Sequence, residues 1–101
     1  MRMIVFFDLP VDTVLGRKEY AKFRKFLIRN GFMMMQESVY CKLLLNQTAA
    51  GVVAEKIRDN KPGKGLIQIL LITEKQYSRM EFVLGSGGSD IITSDERFVE
   101  L

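Results

Sequence analysis

Five consecutive apolar residues, Met3-Ile4-Val5-Phe6-Phe7, stop at Asp8-Leu9-Pro10. A run this short, bounded by proline, reads as a strand buried on both faces. Asp8 sits where that strand leaves the core. Its carboxylate can reach solvent, a metal or a partner chain, whereas the same group at Phe6 would be buried at heavy cost. The rest of the chain has to hold Asp8 and the helix that follows it.

That helix is long and basic. Asp12 or Thr13 can cap its start, and Asn30-Gly31 ends it, with glycine offering the left-handed stop. Tyr20, Phe23, Phe26 and Leu27 recur at helical spacing and form the face that packs on a sheet. Gly16 lies inside the helix at a cost of about 1 kcal/mol. Lys18, Lys22, Lys25 and Arg29 form one stripe pointing away from the core, and Arg17 and Arg24 fall on a second flank.

From Phe32 to Leu45, Val39, Cys41 and Leu43 alternate with Ser38, Tyr40 and Lys42, the pattern of a half-buried strand broken by a bulge near Gln36-Glu37. Met33-Met34-Met35 is expected to fill irregular gaps in the core. Asn46 to Asn60 reads as a shorter helix with Ala49, Val53 and Ile57 inward, ended by the basic turn Lys61-Pro62-Gly63-Lys64-Gly65. This turn lacks the strand-before, helix-after setting of a phosphate-binding loop. Leu66 to Ile72 is the strongest strand and is expected at the centre of the sheet. Thr73 to Tyr77 breaks it as a short helical turn reaching Met80. Glu81-Phe82-Val83-Leu84 is expected as a fourth strand, Gly85 to Ser89 as a flexible loop, and Arg97 to Leu101 as a short terminal strand.

This order predicts an α+β, ferredoxin-like βαββαβ sandwich: an antiparallel sheet with two helices on one face, plus a short C-terminal strand. We expect one domain, with 1–80 as its core and 81–101 as a C-terminal strand segment carrying the glycine-rich loop. The other sheet face would be left apolar and uncovered. A homodimer joined through it is the economical solution, with Phe98 to Leu101 extending the partner's sheet.

The 101 residues, 48% of them hydrophobic, suit a single globular core and exclude disorder as the main state. No apolar run approaches the roughly 20 residues needed to span a bilayer. Asp8 and Pro10 interrupt the N-terminal apolar run, so no cleavable leader is expected. Cys41 is the sole cysteine, which leaves no intrachain disulfide and makes a reducing cytoplasm the expected location. Residues 1–64 carry 12 Lys/Arg against 6 Asp/Glu, a net +6, whereas residues 65–101 carry 3 against 6, a net −3. A basic front of this kind suits a polyanion.

Histidine is absent, so Ser-His-Asp and Cys-His catalysis are unavailable. Cys41, within a strand pattern, reads as a small core residue, and no CxxC or His cluster offers structural zinc. What remains is hard-cation chemistry through carboxylates. Asp8 alone supplies one ligand, and a twofold dimer would place two copies of it around one shared Mg²⁺. Asp8 also fits an ordinary turn or cap before Leu9-Pro10. The stripe has two readings as well: a phosphate track, or the solvated side of an amphipathic helix. Only Glu19 relieves the six positive charges of this helix, which favours the track.

Several segments in order carry a family resemblance. They are Met3 to Pro10, Arg17-Lys18 with Tyr20, Phe23-Arg24-Lys25-Phe26-Leu27, Gly31-Phe32, Gln36, Ser38-Val39-Tyr40, Lys42-Leu43, Thr73-Glu74-Lys75-Gln76 and Ser94-Asp95-Glu96-Arg97. Together they resemble the CRISPR-associated protein 2 family of spacer-acquisition subunits, over nearly the whole chain. The likeness is strongest to the short members found beside RNA-guided single-effector nucleases. It implies a ferredoxin-like homodimer that sits between two dimers of an integrase and helps bind a double-stranded protospacer DNA. It also implies, for many members, Mg²⁺-dependent cleavage of RNA or DNA with the strand-end aspartate as metal ligand. That catalytic and metal-binding role carries over to Asp8. Many relatives place a tyrosine just before this aspartate, where Phe7 has no hydroxyl. Basic residues on the DNA path are implied too, and we expect that path along Arg17, Lys18, Lys22, Arg24, Lys25 and Arg29.

The leading expectation is therefore an adaptor whose main role is to scaffold spacer integration, with nuclease activity of its own as a secondary property. The alternative is a stand-alone endonuclease acting through paired Asp8. A third reading, a regulatory domain for a small metabolite, is disfavoured by the basic stripe.

Overall fold

In a computed structural model, the described residues are 1–86. They form β1 (Arg2–Asp8), α1 (Val14–Arg29), β2 (Met33–Gln36), β3 (Val39–Leu43), α2 (Gln47–Asp59), β4 (Leu66–Ile72) and a short α3 (Glu74–Ser78). The sheet runs β2-β3-β1-β4 and every neighbouring pair is antiparallel. This is the ferredoxin-like βαββαβ arrangement that the element order predicts.

β1 is the divide between the two sides. Side chains alternate along a strand, so Met3, Val5 and Phe7 enter one cluster with Phe23 and Leu27 of α1 and Ala50 and Ile57 of α2. Both helices therefore cover the same face. Arg2, Ile4, Phe6 and Asp8 belong to the far face. Phe7 is the hub of the helix side: its ring centroid lies 5.5 Å from Tyr20, 5.2 Å from Phe23 and 5.7 Å from Tyr40. Tilted and edge-on pairs at such distances contribute about 0.5–1.5 kcal/mol each beyond the area they bury.

The β3 alternation is present, but the other parity faces the helices. Tyr40 pairs with Val5 and is buried in the helix-side core, whereas Cys41 pairs with Ile4 on the far face. A tyrosine ring fills the space beside Phe7 that the smaller Val39 and Cys41 would leave empty. The break near Gln36-Glu37 is a bulge between Met34 and Gln36, as expected.

Three further expectations are corrected. β4 lies at an edge of the sheet and not at its centre, with Leu66 and Leu70 exposed. Met33 and Met34 are 70% and 59% exposed and fill no core gap, because the four-residue β2 is the opposite edge. Glu81 to Leu84 form no strand with any described residue, and Val83 and Leu84 stand almost fully in solvent. Gly87 to Ser89 and the Arg97 to Leu101 strand fall outside the described residues.

The β1–α1 connection is closely packed. Thr13, not Asp12, caps α1, its hydroxyl accepting the Gly16 N–H at 2.9 Å. A Cβ on Gly16 would lie 2.5 Å from the Pro10 carbonyl oxygen and 3.0 Å from Thr13 Oγ1. The glycine is thus what lets the turn close on the helix, and this offsets its poor helix propensity. At the other end of the sheet α3 is tied to β1. A capping box joins Thr73 and Gln76, and Arg2 donates to Glu74 at 3.1 Å while its guanidinium lies 4.0 Å from the Tyr77 ring centroid. Burial opposes the Arg2 charge, but hydrogen bonds to Cys41 and Glu74 and the Glu74 charge leave its pKa raised.

Replacing a glycine within a helix by alanine normally stabilises by up to about 1 kcal/mol. Gly16→Ala is expected to do the reverse, costing roughly 1–3 kcal/mol through overpacking against Pro10. Urea unfolding measures this; a raised midpoint would contradict the close approach.

Candidate nucleic-acid interface

Asp8 is the last residue of β1 and is exposed. It pairs with Leu66 of β4, on the far face of the sheet. Two contacts hold it there. Leu9 is buried immediately after it, and Gly65, at φ +116°, comes so close that a Cβ would lie 2.6 Å from Leu9 Cδ2 and 2.8 Å from the Asp8 carbonyl oxygen. Only glycine takes that backbone conformation with so little room. The turn Lys61 to Gly65 thus positions the strand end.

Among the described residues no three His, Cys, Asp or Glu side chains come together around a common point. One carboxylate is a poor cage for a hard cation, which takes six or more oxygens. Phe7 is buried in the aromatic cluster on the opposite side of the sheet from Asp8. The missing hydroxyl at that position is therefore a feature of the core side.

Behind Phe7 lies a contact the sequence did not signal. The Tyr20 and Ser38 hydroxyls are 2.9 Å apart, and the Ser38 carbonyl accepts the Phe7 N–H at 3.0 Å. Ser38 has φ 65°, a left-handed conformation uncommon for serine. Tyr20 reads from spacing as a core residue, which it is in part. Its polar role depends on the β2–β3 turn reaching α1, and helical periodicity contains no trace of that.

The six basic residues of α1 are all exposed. None forms an ion pair among the described residues. Lys18, Lys22, Lys25 and Arg29 line one shallow groove of about 320 Å³ together with Ala21. Arg17 is drawn elsewhere, its guanidinium donating to the Val11 carbonyl at 3.1 Å and bracing the β1–α1 connection. Arg24 is exposed but does not line the groove. Glu19, the one acid of α1, faces a separate crevice with Asp59, Asn60 and Lys61. Lys22 borders both depressions. The groove lining is therefore cationic without a carboxylate, and Lys61 is a nearby cation that reading one helix at a time misses.

The model of the family described as CRISPR associated protein Cas2 matches residues 1–80. The chain belongs to the Cas2 family. It is 50% identical over 101 residues to a protein of Treponema denticola named "CRISPR-associated endoribonuclease Cas2", with all of both chains covered. A protein of the same name from Streptococcus mutans is also 50% identical over 101 residues, covering all of this chain and 93% of its own. One from Ligilactobacillus salivarius is 46% identical with both chains fully covered. The fold matches the crystal structure of Streptococcus pyogenes Cas2 at pH 6.5 with a TM-score of 0.65 and 21% identity, covering 84% of this chain and 100% of that one. Among the described residues no helix is long and apolar enough to cross a membrane.

The Cas2 family match ends where the described elements end, after α3. Both the aspartate and the basic helix therefore lie inside the family core. Removing the Tyr20 hydroxyl leaves Ser38 without its side-chain partner. Tyr20→Phe is expected to lower stability by about 1 kcal/mol in thermal or urea unfolding, and unchanged stability would show that the hydroxyl pair contributes nothing.

Proposed function

We propose that this chain is a homodimeric subunit of a CRISPR spacer-acquisition complex. In it the dimer bridges integrase dimers and holds double-stranded protospacer DNA on the basic face of α1. The observation that carries this reading is the set of exposed α1 cations, with the lone helix acid turned into a different crevice. An ordinary solvated helix mixes its charges to make pairs every three or four residues. This one leaves its cations without such pairs among the described residues, at a cost in self-repulsion that a polyanion relieves. Contacts of this kind position a phosphate backbone without reading its sequence, which suits a protein that must accept many different duplexes.

The far face of the sheet supports the dimer. It carries Ile4, Phe6, Val39, Cys41, Leu70 and Ile72 in register, and α1 and α2 lie on the other side. A second copy would cover that apolar surface.

Each Lys or Arg that neutralises a phosphate contributes about 0.9 to the slope of log affinity against log salt for duplex DNA. The double substitution Lys18→Glu with Lys22→Glu is expected to weaken duplex binding and to reduce that slope by about 2. Fluorescence anisotropy across a salt series measures both. Affinity that does not change between low and moderate salt in the wild type would remove the phosphate track.

A second reading rests on Asp8 and on the names of the relatives. Asp8 is exposed on the far face, so a dimer formed there would bring two copies towards one another. We infer that such a pair would hold a shared Mg²⁺ and support endonuclease cleavage of RNA or DNA. When bound, the ion would polarise a phosphodiester and lower the pKa of its water. This chain's own contribution is to hold the carboxylates at the strand ends, fixed by Leu9 and Gly65. Asp8→Asn, which keeps the shape and removes the charge, is expected to abolish cleavage of single-stranded RNA, as is a chelator. Cleavage by the purified protein that survives both would contradict the shared-metal reading.

A further inference from the structure

Alanine at position 21 is the smallest side chain within an otherwise long-chained basic surface. Ala21 is exposed, and it lies three residues after Lys18 and four before Lys25. With 3.6 residues per turn, those three positions stack along one side of α1. Lys18, Lys22, Lys25 and Arg29 rise around it to form the groove of about 320 Å³, of whose five lining residues Ala21 is the one without a charge. From Lys18 to Arg29 the helix advances about 16 Å. Phosphates of one duplex strand repeat every 3.4 Å or so along the axis, so this length spans roughly five of them.

We infer that Ala21 is the floor of a phosphate groove: its small size lets a nucleic-acid backbone approach the helix closely enough for the surrounding cations to reach it together. The inference rests on the nucleic-acid reading above and deepens it. It makes shape, and not charge alone, a determinant of binding. The Lys and Arg stems are long and flexible, so they can gather around a phosphate only if nothing bulky occupies the space between them. A leucine there would fill the groove with apolar volume and push the backbone outward, while every charge remains.

Ala21 is not part of the hydrophobic core cluster, and leucine is a good helix former. Ala21→Leu is therefore expected to fold with unchanged helicity and thermal midpoint. The test compares full-length wild type, Ala21→Leu, Ala21→Ser and the Lys18→Glu/Lys22→Glu double variant. Each binds a fluorescein-labelled duplex of about 20 base pairs at about 0.1 M salt. Leaving one phosphate without its cation weakens binding about tenfold there, from the 0.9 logarithmic slope. The inference predicts that Ala21→Leu binds about tenfold or more weakly with a smaller salt slope, whereas the small Ala21→Ser binds like wild type.

If Ala21→Leu binds like wild type while the double glutamate variant is weakened, the groove is overturned and the basic track stands. If neither variant differs from wild type, the track and the groove fall together. Equal weakening by leucine and serine also overturns the inference, because serine leaves the groove open.

Discussion

The register of β1 against β3 and β4 is the constraint on which the molecule depends. One residue of slip would exchange its two faces, sending Phe7 out of the aromatic cluster and Asp8 towards the helices. In the observed register Val5 faces Tyr40 and Ile69 on the helix side, and Ile4 faces Cys41 and Leu70 on the other. The Phe7 cluster with Tyr20, Phe23 and Tyr40 rewards only this arrangement. The same parity that buries Phe7 delivers Asp8 to the far face. The core and the strand-end carboxylate are consequences of one alignment.

The basic face follows from how α1 docks. Phe23 and Leu27 are its buried residues, with Tyr20 and Phe26 packed beside them. Once that side is committed, Lys18, Lys22, Lys25 and Arg29 must point outward. Two details then adjust the charge. Arg17 is used to brace the turn onto Val11, and Glu19 leans towards the C-terminal end of α2. What is left is a groove with four cations and no acid. Its position on the helical layer keeps it clear of the sheet face that a second copy would cover, so dimerisation and nucleic-acid binding need not compete.

Much of this is legible in the chain because it rests on local periodicity. The helical spacing of Tyr20, Phe23, Phe26 and Leu27, the stop at Asn30-Gly31 and the apolar strand before Asp8 each correspond to what is observed. The bulge near Gln36 is legible too. What escapes depends on neighbours distant in sequence. A strand apolar on both sides, such as Leu66 to Ile72, looks the same whether it is central or waits at an edge for a partner. Met33 and Met34 of β2 are apolar in composition but exposed in fact, because β2 is an edge of the sheet. Tyr40 suggests the wrong parity since its hydroxyl makes it look like a solvent-facing residue. Gly16 looks like a defect until Pro10 is placed against it. At the candidate site, the stripe comes directly from helical spacing. The use of Arg17 to brace the turn, the turning of Glu19 and the proximity of Lys61 need the third dimension.

In the function proposed above, this Cas2 family member holds nucleic acid and partners in place, and its strand-end carboxylate is secondary. The most direct measurement is spacer integration in a reconstituted mixture with the cognate integrase, comparing wild type with Asp8→Ala and checking each dimer by gel filtration. A scaffold of this kind predicts equal integration by the two proteins. Failure of integration with an intact Asp8→Ala dimer would contradict it and put the chemistry of the aspartate first.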